Sequence, residues 1–282
     1  MSKRQVWRPV VAGVVVLAIL VGVFSFAPSR ALARQLLSVF RVNKFAVVRV
    51  SPDQAQLEEL GRALEENVFS REPEVIVDEP LVTVSSIEEA RALAGFDARL
   101  PEYLPFEPGM LKIQVKGRTE YALSVPREAL VAVLSLAGMG DRDLPADLQE
   151  ATVRIAMPAA VQMTAPKFAL MQVYEPEVDY PEGIDPSLFG EAGLRLMGLQ
   201  ADEARRISRS IDWTNTLVLP VPDDLTEIRE LQIAGEEAVL LQPRTRDDYN
   251  MTTLLFEKEG IVYVLSARGS YEMLVQVAES MF

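Results

Sequence analysis

The chain has 282 residues, with 28 Lys or Arg against 41 Asp or Glu, and contains neither cysteine nor histidine. These absences exclude a disulfide framework, a thiolate nucleophile, a Ser-His-Asp or Cys-His catalytic unit, zinc sites of the usual kinds and a lipid-bearing cysteine. The charge is uneven: residues 1–45 hold seven Lys or Arg and no acid, which leaves 21 bases against 41 acids and a net charge of −20 in the remainder, a polarity that repels nucleic acid.

Residues 9–28, bracketed by Pro9 and Pro28 and preceded by Lys3, Arg4 and Arg8, include no charged side chain. The 18 residues between the prolines would form a helix of about 27 Å, close to the hydrocarbon thickness of a bilayer. They predict one membrane pass, with lipid as its partner. A cleaved signal peptide ending at Ala31-Leu32-Ala33 is the competing reading, but the apolar run exceeds the roughly 7–15 residues of such a core. The short basic tail, residues 1–8, is expected to stay in the cytoplasm, which places the acidic domain of residues 46–282 outside the cell membrane.

Residues 29–45 read as a basic juxtamembrane helix. Helical spacing puts Arg30, Arg34, Arg41 and Lys44 on one stripe and Leu32, Leu36, Val39 and Phe40 on the other side. Such a helix can lie on a membrane surface, and it can equally be the first helix of the domain.

A strand is predicted at residues 45–50, FAVVRV, and a helix at residues 52–67. Residues 71–80 are acidic, punctuated by proline and read as irregular. A strand at 81–84 leads to Ser86, which with Glu89 forms a capping box for a helix that Gly95 ends. The prolines of GFDARLPEYLP, residues 95–105, force an extended path from which Phe96, Leu100, Tyr103 and Leu104 can fill a core. Residues 110–115 and 118–125 read as a hairpin around Lys116-Gly117. A helix at 127–137 runs into AGMGDRDLP, which lacks the third glycine and the lysine of a phosphate loop.

Strands are expected at 151–157, 160–164 and 168–173, then helices at 186–197 and 201–210. The closing strands are expected at 216–221, 227–233, 237–241, 252–257 and 261–266, with turns at Ala234-Gly235 and at Lys258-Glu259-Gly260. A terminal helix at 271–281 carries Met273, Leu274, Val277 and Ala278 along one side and should dock on the sheet. The fold class is therefore α+β: an N-terminal transmembrane helix, then a mainly antiparallel sheet with packed helices.

Little here carries chemistry. Adjacent acids such as Glu58-Glu59 and Asp223-Asp224 are surface features in a chain this acidic, because a glycosidase needs two carboxylates set apart across a cleft. Asp141-Arg142-Asp143 is too short for a calcium loop, and Asn250-Met251-Thr252 matches a glycosylation acceptor only formally. Trp213 in DWTNT can stack a ligand or anchor a partner, or cover the core where helices meet sheet. Met157, Met163 and Met171 can line an adaptable groove or fill the interior. No cofactor is implied.

The motif GFDARLPEYLP, the late VYVLS at residues 262–266 and VAES at 277–280 together resemble an uncharacterised extracytoplasmic domain family of membrane-anchored, anti-sigma-factor-like bacterial proteins. LSVFRVNKFAV, residues 37–47, is similar to the juxtamembrane region of its single-pass members. The resemblance brings no activity and no catalytic residues. Together with the predicted anchor and the missing catalytic side chains, it implies a non-enzymatic sensor or binding domain in the cell envelope that takes a ligand or a partner envelope protein, with a tethered carrier of lipid or another apolar ligand as the alternative. Only eight residues precede the span, and the His-Cys-Cys zinc motif of many anti-sigma domains is missing, so sequestration of a sigma factor by this chain is not expected.

Overall fold

The computed structural model describes residues 40–42, 45–51, 73–141, 144–214, 216–222, 226–244 and 251–282. The predicted span of residues 9–28, the helix at 52–67, Arg30, Arg34 and Lys44 lie outside them. Among the described residues the architecture is mainly antiparallel sheet with five α-helices.

Strands β3 (Glu74–Asp78), β6 (Thr119–Pro126), β7 (Glu150–Met157) and β10 (Glu177–Asp179) form one sheet in the order β10-β7-β6-β3. A second has the order β12-β13-β14-β15-β9-β8-β5-β4. Its members are β4 (Leu81–Val84), β5 (Lys112–Lys116), β8 (Ala160–Ala165), β9 (Phe168–Tyr174), β12 (Thr226–Ile233), β13 (Glu236–Pro243), β14 (Thr252–Lys258) and β15 (Ile261–Ala267). All neighbours in both sheets are antiparallel.

The two sheets are continuous. Leu81 pairs with Lys116 in one and Asp78 with Thr119 in the other. Lys116 pairs with Ala160, and Thr119 with Met157. Ala160 pairs with Val173, and Ala156 with Glu177. In every case the register carries across the gap without a slip, so four long strands each run from one sheet into the other and bend on the way. The bend passes through Glu79-Pro80, Gly117-Arg118, Pro158-Ala159 and Glu175-Pro176. Three prolines there remove three ladder donors, and a strand that changes sheets does so at such a break.

This geometry corrects two expectations. Residues 112–116 and 119–126 do not fold back on each other as a hairpin at Lys116-Gly117: they are two halves of one bent strand. Their partners lie across Glu79-Pro80, where Glu79 N donates to Arg118 O at 3.0 Å and Gly117 N to Pro80 O at 3.3 Å. Residues 74–78 are not irregular either, because the V-I-V run between Pro73 and Pro80 pairs with β6 as β3, with one bulge between Val75 and Val77.

The third sheet is small. β1 (Phe40–Val42) pairs antiparallel with β2 (Phe45–Val50), and β2 pairs in parallel with β11 (Leu217–Pro222). Phe40–Val42 is thus a strand, which corrects the expectation of a helix through residue 45. In the register, Phe40 pairs with Val47 and Val42 with Phe45.

Each layer has its own apolar filling. Helices α1 (Ile87–Ala94) and α5 (Tyr271–Glu279) cover one face of the eight-stranded sheet, where Ile87, Ala90, Leu274 and Val277 join Met163, Leu170, Phe256, Tyr263 and Leu265. On the opposite face Val47, Leu219 and Val221 of the small sheet meet Ile228, Val239 and Leu255. The small sheet's other side, Ala46, Val48 and Val50, packs on Leu194, Leu199, Ala204 and Ile207. These come from α3 (Pro186–Leu196), α4 (Ala201–Ser208) and the loop between them. Helix α2 (Arg127–Leu136) and α3 close the four-stranded sheet through Leu130, Leu134, Leu188 and Ala192 against Val125 and Ala151.

Candidate functional site

Most outer strands are guarded against pairing with other chains. β12 displays Glu227, Arg229, Glu230 and Gln232, with an ion pair of 2.9 Å between Glu227 and Arg229. β10 is three residues long and acidic, and Val178 N already donates to Thr214 O at 3.1 Å. β11 carries Pro220 and Pro222 and is buried at Leu219, Pro220 and Val221.

The edge formed by β3 and β4, residues 74–84, differs. Val75 is 48% exposed, Ile76 42%, Leu81 51% and Val82 38%, and no described strand pairs with its outer side. Of its charged residues, Asp78 and Glu79 are engaged by the neighbouring strand, and Glu74 is exposed. Lys116 Nζ donates to Asp78 Oδ1 at 2.7 Å and also bonds Glu79 O, while Glu79 Oε2 accepts from Arg118 N at 2.8 Å. The result is an edge broken by the bulge after Val75 and by the Pro80 bend, with exposed apolar side chains on either side of the bend and no described strand on its outer side, which leaves two short stretches for strand addition by another chain.

The expected contact residues fall elsewhere. Arg41 lies on β1, and the other members of the predicted basic stripe, Arg30, Arg34 and Lys44, lie outside the described residues. Trp213 is half-buried: its indole lies against Gly190 of α3, and Nε1 donates to Ser208 O at 2.8 Å. That seat gives the ring a packing task between α3, α4 and β11. Sequence reasoning missed the 74–78 half of the edge, for which V-I-V was the available signal.

The GFDARLPEYLP segment acts as a strap. Gly95 ends α1 at φ 75°, Phe96 and Ala98 are buried, and Leu100 and Tyr103 stay exposed although both were expected to fill the core. Gln172, fully buried in β9, holds the strap at both backbone groups of Arg99. Its Oε1 accepts from Arg99 N at 2.6 Å, and its Nε2 donates to Arg99 O at 2.7 Å. Beyond that, Tyr103 N donates to Ser280 Oγ at 3.1 Å, and the Arg99 guanidinium stacks 4.9 Å from the Phe282 ring centre. The motif behind the family resemblance is structural in this fold.

Tyr263 is fully buried, and its Oη has no hydrogen-bond partner among the described residues. Burial pushes its phenol up to about 12, with the nearby Arg99 guanidinium offsetting part of the effect. An unfolded tyrosine ionises near pH 10, so this group's share of stability is complete below pH 10 and is lost as the pH rises toward 12. Tyr263→Phe should remove that part of the alkaline decline in unfolding free energy and cost little at pH 7, because the hydroxyl loses only its interaction with the Arg99 guanidinium. Urea titrations of both proteins at pH 7 and pH 11 would read it; an unchanged alkaline decline in the variant would refute the assignment.

A cavity of about 290 Å³ opens where α2 ends near the α3–α4 junction, lined by Leu136, Ala137, Gly138, Arg195, Leu199 and Gln200 among others. The Arg195 guanidinium there already bonds Glu191 and the carbonyls of Ala137 and Gly138. The described residues include no cluster of acids suited to hold a metal ion. Family models, curated proteins and solved structures yielded no match to the chain.

Proposed function

We propose that this chain is a single-pass membrane protein whose acidic domain faces outward and works without catalysis, binding a protein partner by strand addition at the β3–β4 edge. The observation that carries the reading is the contrast between that apolar edge and its guarded counterparts. The charge-free run of residues 9–28 supports the anchor. Among the described residues no helix is long and apolar enough to cross a membrane, and the proposed span lies outside them. Only residues 29–39 separate the span from β1, a stretch of at most about 40 Å, and β2 just beyond is buried on both faces. Such an anchor would be joined directly to the interior of the domain and would hold it close to the bilayer.

The alternative, a carrier of lipid or another apolar ligand, has less support. Side chains of α1 and α5 fill one face of the eight-stranded sheet, and the small sheet covers part of the other. The resemblance to membrane-anchored envelope proteins agrees with the binding reading but brings no partner.

Cross-linking of the tagged full chain in intact cells, then isolation from membranes, tests the proposal. The wild type should yield a discrete adduct that is lost in the Ile76→Lys, Leu81→Lys double variant. No adduct under several conditions, or one indifferent to the substitutions, would remove the edge from the account. A C-terminal tag shielded from external protease would reverse the topology.

A further inference from the structure

We infer that helix α4 is the part of the domain that rests on the bilayer, with Arg205, Arg206 and Arg209 set against the phosphates of anionic lipids. The inference rests on the anchor proposed above and not on the β3–β4 edge. β1 begins beside Val47 and ends beside Phe45, so the chain arrives at the end of the small sheet where β2 and β11 finish, at Val50 and Pro222. There Ser51 N donates to Met197 O at 3.2 Å, which ties β2 to the loop that leads into α4. Arg209, the C-cap of α4, lies about 12 Å along the axis from Ala201, so a tether of at most about 40 Å leaves the whole helix within reach of the lipid surface.

Helical spacing sets Asp202, Arg205, Arg206 and Arg209 in one outer stripe, opposite the buried Ala204, Ile207 and Ser208. Arg91, Lys116, Arg118, Arg127 and Arg229 each have an acid within 3.3 Å, but the α4 stripe has charge to spare. Arg205 shares the one carboxylate of Glu191 with Arg195. Arg206, 72% exposed, reaches Glu203 only at 3.6 Å, and Arg209 has no ion pair among the described residues. Asp202 is the one exposed acid in the stripe, at the helix N-terminus where the dipole favours it. Residues 46–282 have a net charge of −20 and are repelled as a whole by anionic lipid, so a basic stripe decides which side turns to the membrane. The small sheet and its helices sit over β12, β13 and β14, and β4 is at the other end of that sheet, so with α4 down the β4 edge stays clear of lipid.

The chain has no cysteine, so an introduced thiol can carry a fluorophore at one chosen place. Full-length Ser210→Cys is labelled and reconstituted into phosphatidylcholine vesicles with or without phosphatidylglycerol, with a quencher attached to the lipid headgroups. Ser210 is exposed and follows Arg209 at the end of α4 away from the tether, so quenching there reports the helix lying on lipid. Strong quenching is expected with phosphatidylglycerol and should be relieved by high salt. A label at Leu93→Cys, 51% exposed on α1 over the opposite face of the eight-stranded sheet, should stay bright in both vesicles. Adding Arg206→Gln and Arg209→Gln, which leaves the Arg205–Glu191 contact in place, should lower the ratio of lipid-bound to free α4 about tenfold or more. Melting curves of each labelled protein would verify that the fold is retained.

Equal quenching at the two labels, equal quenching with and without phosphatidylglycerol, or indifference to the two substitutions overturns the inference. The anchor would survive that result if the chain still floats with the vesicles after alkaline extraction. A chain that fails to float removes the anchor and the inference together. Neither outcome bears on an edge-dependent adduct in cells, which tests the β3–β4 edge by itself.

Discussion

Gly190→Ala is expected to destabilise the domain even though it replaces a poor helix former with the best one. Propensity alone would favour the change by about 1 kcal/mol in the middle of a helix. The Trp213 ring prevents that gain. A Cβ at residue 190 would lie 2.7 Å from Cη2, with Cζ2 and Cε2 closer still, so the indole would have to leave its seat. Leaving it breaks the Nε1 bond to Ser208 O and disturbs Leu194, Ala204 and Ile207, on which the small sheet rests.

An overpacked site of this kind costs about 2–3 kcal/mol net, which unfolding in urea would resolve. The decisive comparison uses Trp213→Ala as background. Without the ring the methyl group has room, and Gly190→Ala should become neutral or stabilising by up to about 1 kcal/mol. The same sign in both backgrounds would mean that the indole is not seated on Gly190. The pair also tests what Trp213 is for. A ring needed to hold α3, α4 and β11 together should be costly to remove, whereas a ring kept for a ligand should be cheap.

The sequence revealed local chemistry well and non-local choices poorly. Ser86 caps α1 as its S-x-x-E pattern implies, with its hydroxyl accepting from Glu89 N at 3.2 Å, although the Glu89 carboxylate reaches back to Ser85. The Ala234-Gly235 and Glu259-Gly260 turns take positive φ at all four residues, as two-residue hairpin loops require. Leu274, Val277 and Ala278 dock α5 on the sheet. Each of these is decided within about ten residues of chain.

Lys116-Gly117 could either reverse the chain or bend a strand, and nothing within ten residues distinguishes the two. Pairing with residues 74–84 and 150–165 decides it. The candidate site was hidden for the same reason. V-I-V is equally good sequence for a central strand, and edge status depends on what lies beyond it, which only the assembled sheet specifies. Trp213 was visible as unusual, but its seat on Gly190 is a contact between a loop and a helix that carry no shared pattern.

Gln172→Leu is expected to be among the costliest substitutions in the eight-stranded sheet, although it nearly conserves volume and puts an apolar side chain between two others. Gln172 pairs with Val161 on one side and Tyr263 on the other, all on the buried face. By transfer free energy alone leucine would belong there. The glutamine is present because Arg99 crosses above it and brings a backbone donor and acceptor into the interior, and the side chain satisfies both. Leucine would leave the two groups buried and unpaired, at about 1–3 kcal/mol each, so a loss of about 2–5 kcal/mol is expected in equilibrium unfolding.

The effect should spread along the strap. Arg99 N and Tyr103 N, which tie the strap to β9 and to Ser280, should exchange their amide protons faster in the variant, while those of the α3–α4 pair should not change. A variant within about 0.5 kcal/mol of wild type would mean that water or a shift of the strap satisfies Arg99 instead. The glutamine would then be incidental, and the buried clusters on either side of the sheet would have to account for the position of the 95–105 segment without it.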